Sequence, residues 1–177
     1  MELSAGKNLT DVTQIVSGWF HTCAILSDKT VHCWGEGRRG QLGNGTTSNL
    51  GYASTTVQTS SATNLTNVTQ IALKGDHTCA LLSDKTVRCW GEGGSGQLGN
   101  GTFSDLSYAS TTVQIGSGTN LTNITQIALG YNHTCAILSD KTVRCWGSNS
   151  NGQLGNGATS NLGYASTTVP ISSGKNL

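Results

Sequence analysis

The stretch His77-Thr78-Cys79-Ala80-Leu81-Leu82-Ser83-Asp84-Lys85-Thr86-Val87-Arg88-Cys89-Trp90-Gly91 decides the fold. In its first six residues Cys79 and Leu81 fall on one side of an extended chain, and Ala80 and Leu82 fall on the other. From Thr86 to Trp90, Val87 and Cys89 alternate with Arg88 and Trp90. A period of two is the mark of β-strands, and apolar residues on both sides mean a sheet covered on both faces. Ser83-Asp84-Lys85 between them reads as a tight hairpin loop. Upstream, Thr69 to Leu73 forms a short first strand. Downstream, Ser110 to Ile115 is the candidate fourth strand, reached through Gly96-Gln97-Leu98-Gly99-Asn100-Gly101, whose glycines permit close turns.

The same pattern occurs three times. His21-Thr22-Cys23-Ala24, His77-Thr78-Cys79-Ala80 and His133-Thr134-Cys135-Ala136 recur at a spacing of 56 residues. Residues 60–115 and 116–171 are identical at 40 of 56 positions, which suggests recent duplication or design. Repeats of this length, each with four short antiparallel strands, are expected to be propeller blades. The chain divides into blades at 4–59, 60–115 and 116–171, and residues 172–177 begin a fourth copy that overlaps 4–9.

Composition narrows the function. Of 177 residues only 11% are charged, and ten Lys and Arg stand against nine Asp and Glu. A net charge of +1 lacks the basic surplus that nucleic acid or an anionic membrane attracts, so neither is expected as a partner. No apolar run is long enough to span a bilayer as a helix, and Met1 to Gly6 lacks the regions of a signal peptide.

The six cysteines fall as Cys23/Cys33, Cys79/Cys89 and Cys135/Cys145. Each pair brackets the hairpin loop symmetrically, so the two residues face each other across the strands, close enough for a disulfide. Disulfides imply an oxidising compartment, and hence a secreted or cell-surface parent protein. Reduced thiols packed as small apolar groups are the alternative. A zinc site using His77 with Cys79 and Cys89 fits the usual ligand spacing poorly.

The string from His77 to Gly91, followed by Gly96 to Gly101, resembles the regulator-of-chromosome-condensation repeat, in its bacterial cysteine-bearing version. The resemblance runs through nearly the whole chain and implies an all-β propeller, usually of seven blades. Three blades leave two apolar faces bare. Self-assembly is therefore expected to complete a closed ring, with six blades from a homodimer or nine from a trimer. A monomeric stack is the plainer alternative.

The resemblance also makes the repeated His21, His77 and His133 structural. No nucleophile–base pair and no unique acid pair is visible, so the chain is not expected to be an enzyme and no cofactor is implied. Two clusters vary most between copies: Gly18-Trp19-Phe20, Lys74-Gly75-Asp76 and Gly130-Tyr131-Asn132, and the loops at 36–39, 92–95 and 148–151. In an up-and-down blade both emerge at one rim. Trp19, Phe20, Arg38, Arg39, Lys74, Asp76, Glu92, Tyr131, Asn132, Asn149 and Asn151 are the candidate partner-binding residues there.

The expected function is a non-catalytic interaction scaffold that self-assembles and offers this rim to an unidentified protein. One alternative is a fragment or designed chain for propeller assembly with no selected function. A second is a GTPase binder like the family's guanine-nucleotide exchange factor.

Overall fold

The computed structural model describes residues 2–4 and 7–170; the expected start of a fourth repeat at 172–177 lies outside them. A hairpin of β1 (Glu2–Ser4) and β2 (Lys7–Asn8) precedes the first sheet: β3 (Val12–Ser17), β4 (His21–Leu26) and β5 (Val31–Gly35). A second hairpin, β6 (Gln58–Ser60) and β7 (Thr63–Asn64), leads into β8 (Val68–Lys74), β9 (His77–Leu82) and β10 (Val87–Gly91). A third, β11 (Gln114–Gly116) and β12 (Thr119–Asn120), leads into β13 (Ile124–Leu129), β14 (His133–Leu138) and β15 (Val143–Gly147). Each repeat is thus an antiparallel three-stranded unit in sequence order.

The tight loop forms as the sequence implies. Leu82 N–H donates to Thr86 O, Lys85 takes φ +66°, and the Asp84 carboxylate accepts from Thr86 N–H at 3.0 Å and Thr86 Oγ1 at 2.7 Å. These bonds hold the Asp84 carboxyl below the usual carboxylate range. The loop sets a register in which Cys79 faces Cys89. The same register sets Cys23 opposite Cys33 and Cys135 opposite Cys145. Each pair is a disulfide with Cα atoms 4.1 Å apart, which removes the alternative of reduced thiols.

These cysteines belong to the core and take no part in any exposed site. Cys23, Cys33, Cys79 and Cys89 are fully buried, and Cys145 is buried at 5% exposure. Cys135, the partner of Cys145, is only half-buried. The reason is position: the third sheet has no following blade packed over it among the described residues, so its disulfide is covered less completely than the other two.

The four-stranded blade needs correction. The fourth position holds no continuous strand: Leu106 bridges Gly91 and Thr112 bridges Arg88, while Gln114 and Ile115 join the β11–β12 hairpin instead. The reason is a competing set of backbone bonds. Between the two bridges the chain turns toward the preceding blade, where Ser107 O accepts from Gly45 N–H and Ala109 N–H donates to Gln58 O, both at 2.8 Å. Hydrogen bonds that would have completed a fourth strand join blades instead.

The apolar cores lie between blades. One cluster unites Cys23, Ile25, Val31, Cys33 and Leu42 of the first blade with Leu73, Ala80, Leu82 and Trp90 of the second. The next unites Cys79, Leu81, Val87 and Leu98 with Ile124, Ile127, Ala136 and Trp146. The alternation along β9 therefore feeds two different cores. At the inner edge β8 packs against both β3 and β13. There the Gln70 amide binds both backbone groups of Ile127 at 3.2 Å, spanning the gap as a strand neighbour would.

A polar node closes each blade junction. The Gln41 carbonyl, in the loop leaving blade one, accepts from Trp90 Nε1 at 2.9 Å and Thr78 Oγ1 at 3.1 Å in blade two. Having given its proton to Gln41, Thr78 Oγ1 accepts from His21 Nε2 at 2.9 Å. Gln97, Trp146, Thr134 and His77 repeat the arrangement. Gly43 is needed beside it: at φ +68°, a Cβ there would lie 2.7 Å from Trp90 Nε1.

Trp90→Phe removes one of the two donors to the buried Gln41 carbonyl and leaves the smaller ring short of the space the indole fills, so a loss of about 2 kcal/mol is expected from urea denaturation. Trp34→Phe, at the indole that no Gln carbonyl reaches among the described residues, is expected to cost less than half of that. A pH series tests the histidines. Burial lowers His21 to about 4 and His77 to about 3. The unfolded chain takes up these protons near the ordinary value of about 6.5. Stability is therefore full above that pH and falls as pH drops from there toward 4, by up to about 1.4 kcal/mol per unit for each ring. His77→Gln should flatten the slope; an unchanged slope would assign it to other groups.

Candidate functional site

The turn before each second strand and the loop after each third strand share one end of the fold. Glu36 N–H donates to Phe20 O, Glu92 N–H to Asp76 O, and Ser148 N–H to Asn132 O, at 2.7 to 2.9 Å. The variable clusters are thus hydrogen-bonded neighbours.

Three aromatic side chains gather there. Trp19 meets Phe20 edge-on with ring centroids 6.1 Å apart, and meets Tyr131 at 4.7 Å. Trp19 belongs to the first blade and Tyr131 to the third, so this contact arches over the second. Gly75 makes room for it, because a Cβ on that residue would lie 2.7 Å from Tyr131 O. All three rings remain exposed: Trp19 is 57% accessible, Phe20 64% and Tyr131 45%.

Carboxylates lie at the same end. Asp76 follows Gly75 directly, and Gln41 Nε2 approaches it at 3.5 Å. Burial raises the Asp76 carboxyl above its ordinary value; Glu36 and Asp105 add to this and Arg39 opposes it. Glu92 accepts from Gln97 Nε2 at 3.3 Å. Burial raises it as well, with Arg39 opposing and Asp76 and Asp105 adding. With its NH2 turned toward acceptors, Asn132 donates to Tyr131 O at 2.9 Å and to Glu92 Oε2 at 3.2 Å, tying the acidic edge to the aromatic one. Arg38 pairs with Glu36 at 3.4 Å and Arg39 with Asp105 at 3.3 Å. Lys74 is exposed.

Two candidates stand apart from this patch. Asn151 is exposed in the third-blade loop, where its N–H caps Gln153 Oε1 at 2.9 Å. Asn149 is fully buried. Its amide donates to Asn156 Oδ1 and Ala158 O, and its Oδ1 accepts from Leu154 N–H, at 2.9 to 3.1 Å. It braces the loop from within and offers nothing to a partner.

Glu36, within the variable 36–39 loop but not among the candidate residues, and Asp105, which escaped the sequence reading, are part of the rim. Asp105 falls where the other repeats carry Asn49 and Asn161, a difference that alignment of the copies makes visible. At the opposite end, a hollow bordered by Gln14, Gln70, Ser83, Lys85 and Thr125 carries one charge and no paired acid and base. Among the described residues no group of three or more His, Cys, Asp and Glu is arranged to hold a metal ion.

Comparison with known proteins defines the class. The Regulator of chromosome condensation (RCC1) repeat is matched at residues 12–41, 68–97 and 124–153, and a second form of it at 28–81 and 86–137. The chain belongs to this family. It is 36% identical over 146 residues to the ultraviolet-B receptor UVR8 of Arabidopsis thaliana, covering 82% of this chain and 31% of the receptor. It is 31% identical over 154 residues to the human probable E3 ubiquitin-protein ligase HERC6, covering 87% of this chain and 14% of the ligase. Yeast RCC1 (Prp20), solved bound to Kap60, superposes with a TM-score of 0.69 at 20% identity, covering 93% of this chain and 38% of the yeast one. A second structure of Prp20p from Saccharomyces cerevisiae, described with its binding to Gsp1p and histones, gives a TM-score of 0.65. The chain thus spans well under half the length of these relatives.

Two expectations are corrected by these comparisons. The expected homodimer or trimer gives way, since the yeast neighbours are described with Kap60, Gsp1p and histones as their partners. The physical reason is that a blade needs a neighbouring blade and not a second chain: the junctions are built within one chain by the Gln41 and Gln97 loops. The secreted or cell-surface setting is withdrawn as well, since the yeast neighbours are described with Kap60, Gsp1p and histones. The hairpin register brings each pair within bonding distance in any compartment, from Cys23 and Cys33 through to Cys135 and Cys145, so the spacing by itself does not locate the chain.

Asn149→Ala removes three bonds from a fully buried loop. It is expected to cost about 2–4 kcal/mol in urea denaturation. It should leave the aromatic rim intact, as read from the Trp19 indole resonance in an NMR spectrum.

Proposed function

We propose that the chain is a three-blade part of a propeller, with blades at 4–59, 60–115 and 116–171, that binds a GTPase or a nuclear transport factor through the rim of Trp19, Phe20 and Tyr131. Family membership supports an interaction role, and the yeast relative's binding to Gsp1p and Kap60 supports the partner class. The observation that carries the reading is the exposed aromatic cluster assembled from two different blades. Tryptophan and tyrosine dominate the energetics of protein interfaces, and the repeats diverge at these rim positions while the scaffold between them is kept. A nuclear setting follows from the same partners.

Purified chain is expected to bind Gsp1p or Kap60 in a calorimetric titration. Trp19→Ala with Tyr131→Ala should weaken the interaction by about 2 kcal/mol or more. No heat with either partner, or full affinity in the double variant, would overturn the assignment.

A further inference from the structure

We infer that the aromatic rim selects a cationic segment of its protein partner, an exposed arginine or lysine side chain that lies on the Trp19 and Tyr131 rings with Asp76 and Glu92 beside it. This rests on the rim being the binding face and adds what the rim recognises. The rings come first. Trp19 and Tyr131 stand edge to face, so at least one ring face in the cluster is left to solvent. Such a face is electron-rich and attracts a cation within about 6 Å of its centre.

The surroundings supply the charge complementarity. Of the four carboxylates at this end, Glu36 and Asp105 are in ion pairs with Arg38 and Arg39. Asp76 and Glu92 are in none among the described residues; each takes a hydrogen bond from a glutamine amide instead. These two are also the carboxylates tied to the turn that carries Tyr131: Asp76 follows Gly75, which lies against the Tyr131 carbonyl, and Glu92 accepts from Asn132, which also bonds that carbonyl. An apolar or anionic segment would cover both half-buried carboxylates with Arg39 alone to offset them. A guanidinium or ammonium group would meet them and the ring face together. Arg39 stands near both and Lys74 is exposed on the same end, so the attraction is local to the ring edge rather than a broad negative field.

The experiment titrates the intact chain with an oligoarginine peptide and, separately, with an oligoglutamate peptide of equal length, following the Trp19 indole and the backbone amides of residues 130–132 by NMR. Saturable shifts with oligoarginine alone are expected, weakening as salt is raised. Asp76→Asn with Glu92→Gln keeps the hydrogen-bonding shape and should weaken binding about tenfold, as should Trp19→Ala. Equal binding of both peptides, or unchanged affinity in the Asn/Gln variant, would overturn the proposal. If Gsp1p or Kap60 needs the aromatic rings yet binds the Asn/Gln variant at full strength, the rim remains the binding face and cationic selection fails.

Discussion

The structure depends on a single carbonyl oxygen at each blade junction. Gln41 O accepts hydrogen bonds from an indole N–H and a hydroxyl of the next blade, and that hydroxyl is in turn held by a histidine of the blade before. Dispersion and apolar burial bring the sheets together without specifying their relative position. The carbonyl specifies it, because a buried acceptor left unpaired is costly and the geometry of its donors admits little slippage. The aromatic rim is a product of this constraint. Trp19 and Tyr131 meet across an intervening blade only because two successive junctions are fixed alike.

Much of the fold was legible in the residues. Strict alternation through His77–Leu82 and Val87–Gly91 showed the strands, the 56-residue recurrence showed the blades, and the symmetric cysteine spacing pointed to the register that the disulfides confirm. The spacing did not reveal how deeply each pair lies. Cys135 and Cys145 are spaced as the other pairs are, yet among the described residues no following blade covers the side of the sheet on which they lie. The fourth strand was misread because Ser110–Ile115 has strand-like residues, and propensity does not say which neighbour receives the backbone hydrogen bonds. Gln41 and Gln97 were invisible for a related reason. What matters in them is a main-chain oxygen, which every residue type carries.

The rim was partly legible. Divergence among near-identical copies marked the two loop clusters, and the structure joins most of the named residues into one patch. It could not separate exposed variation from buried variation. Asn149 differs from Gly37 and Gly93 as sharply as any rim residue, yet it fills the inside of its loop. The meeting of Trp19 with Tyr131 was out of reach, since the two are far apart in sequence and their approach depends on the curvature of three packed sheets.

The disulfides have a consequence for cohesion. Every one of them closes within a single blade, and none among the described residues ties one blade to another. Covalent stiffening and blade-to-blade adhesion are therefore separate variables. Oxidation narrows what each unfolded hairpin can explore, but adds nothing across a junction. The chain fixes the order of the blades, but their faces are held together by reversible contacts alone, so a junction can part without any covalent bond breaking.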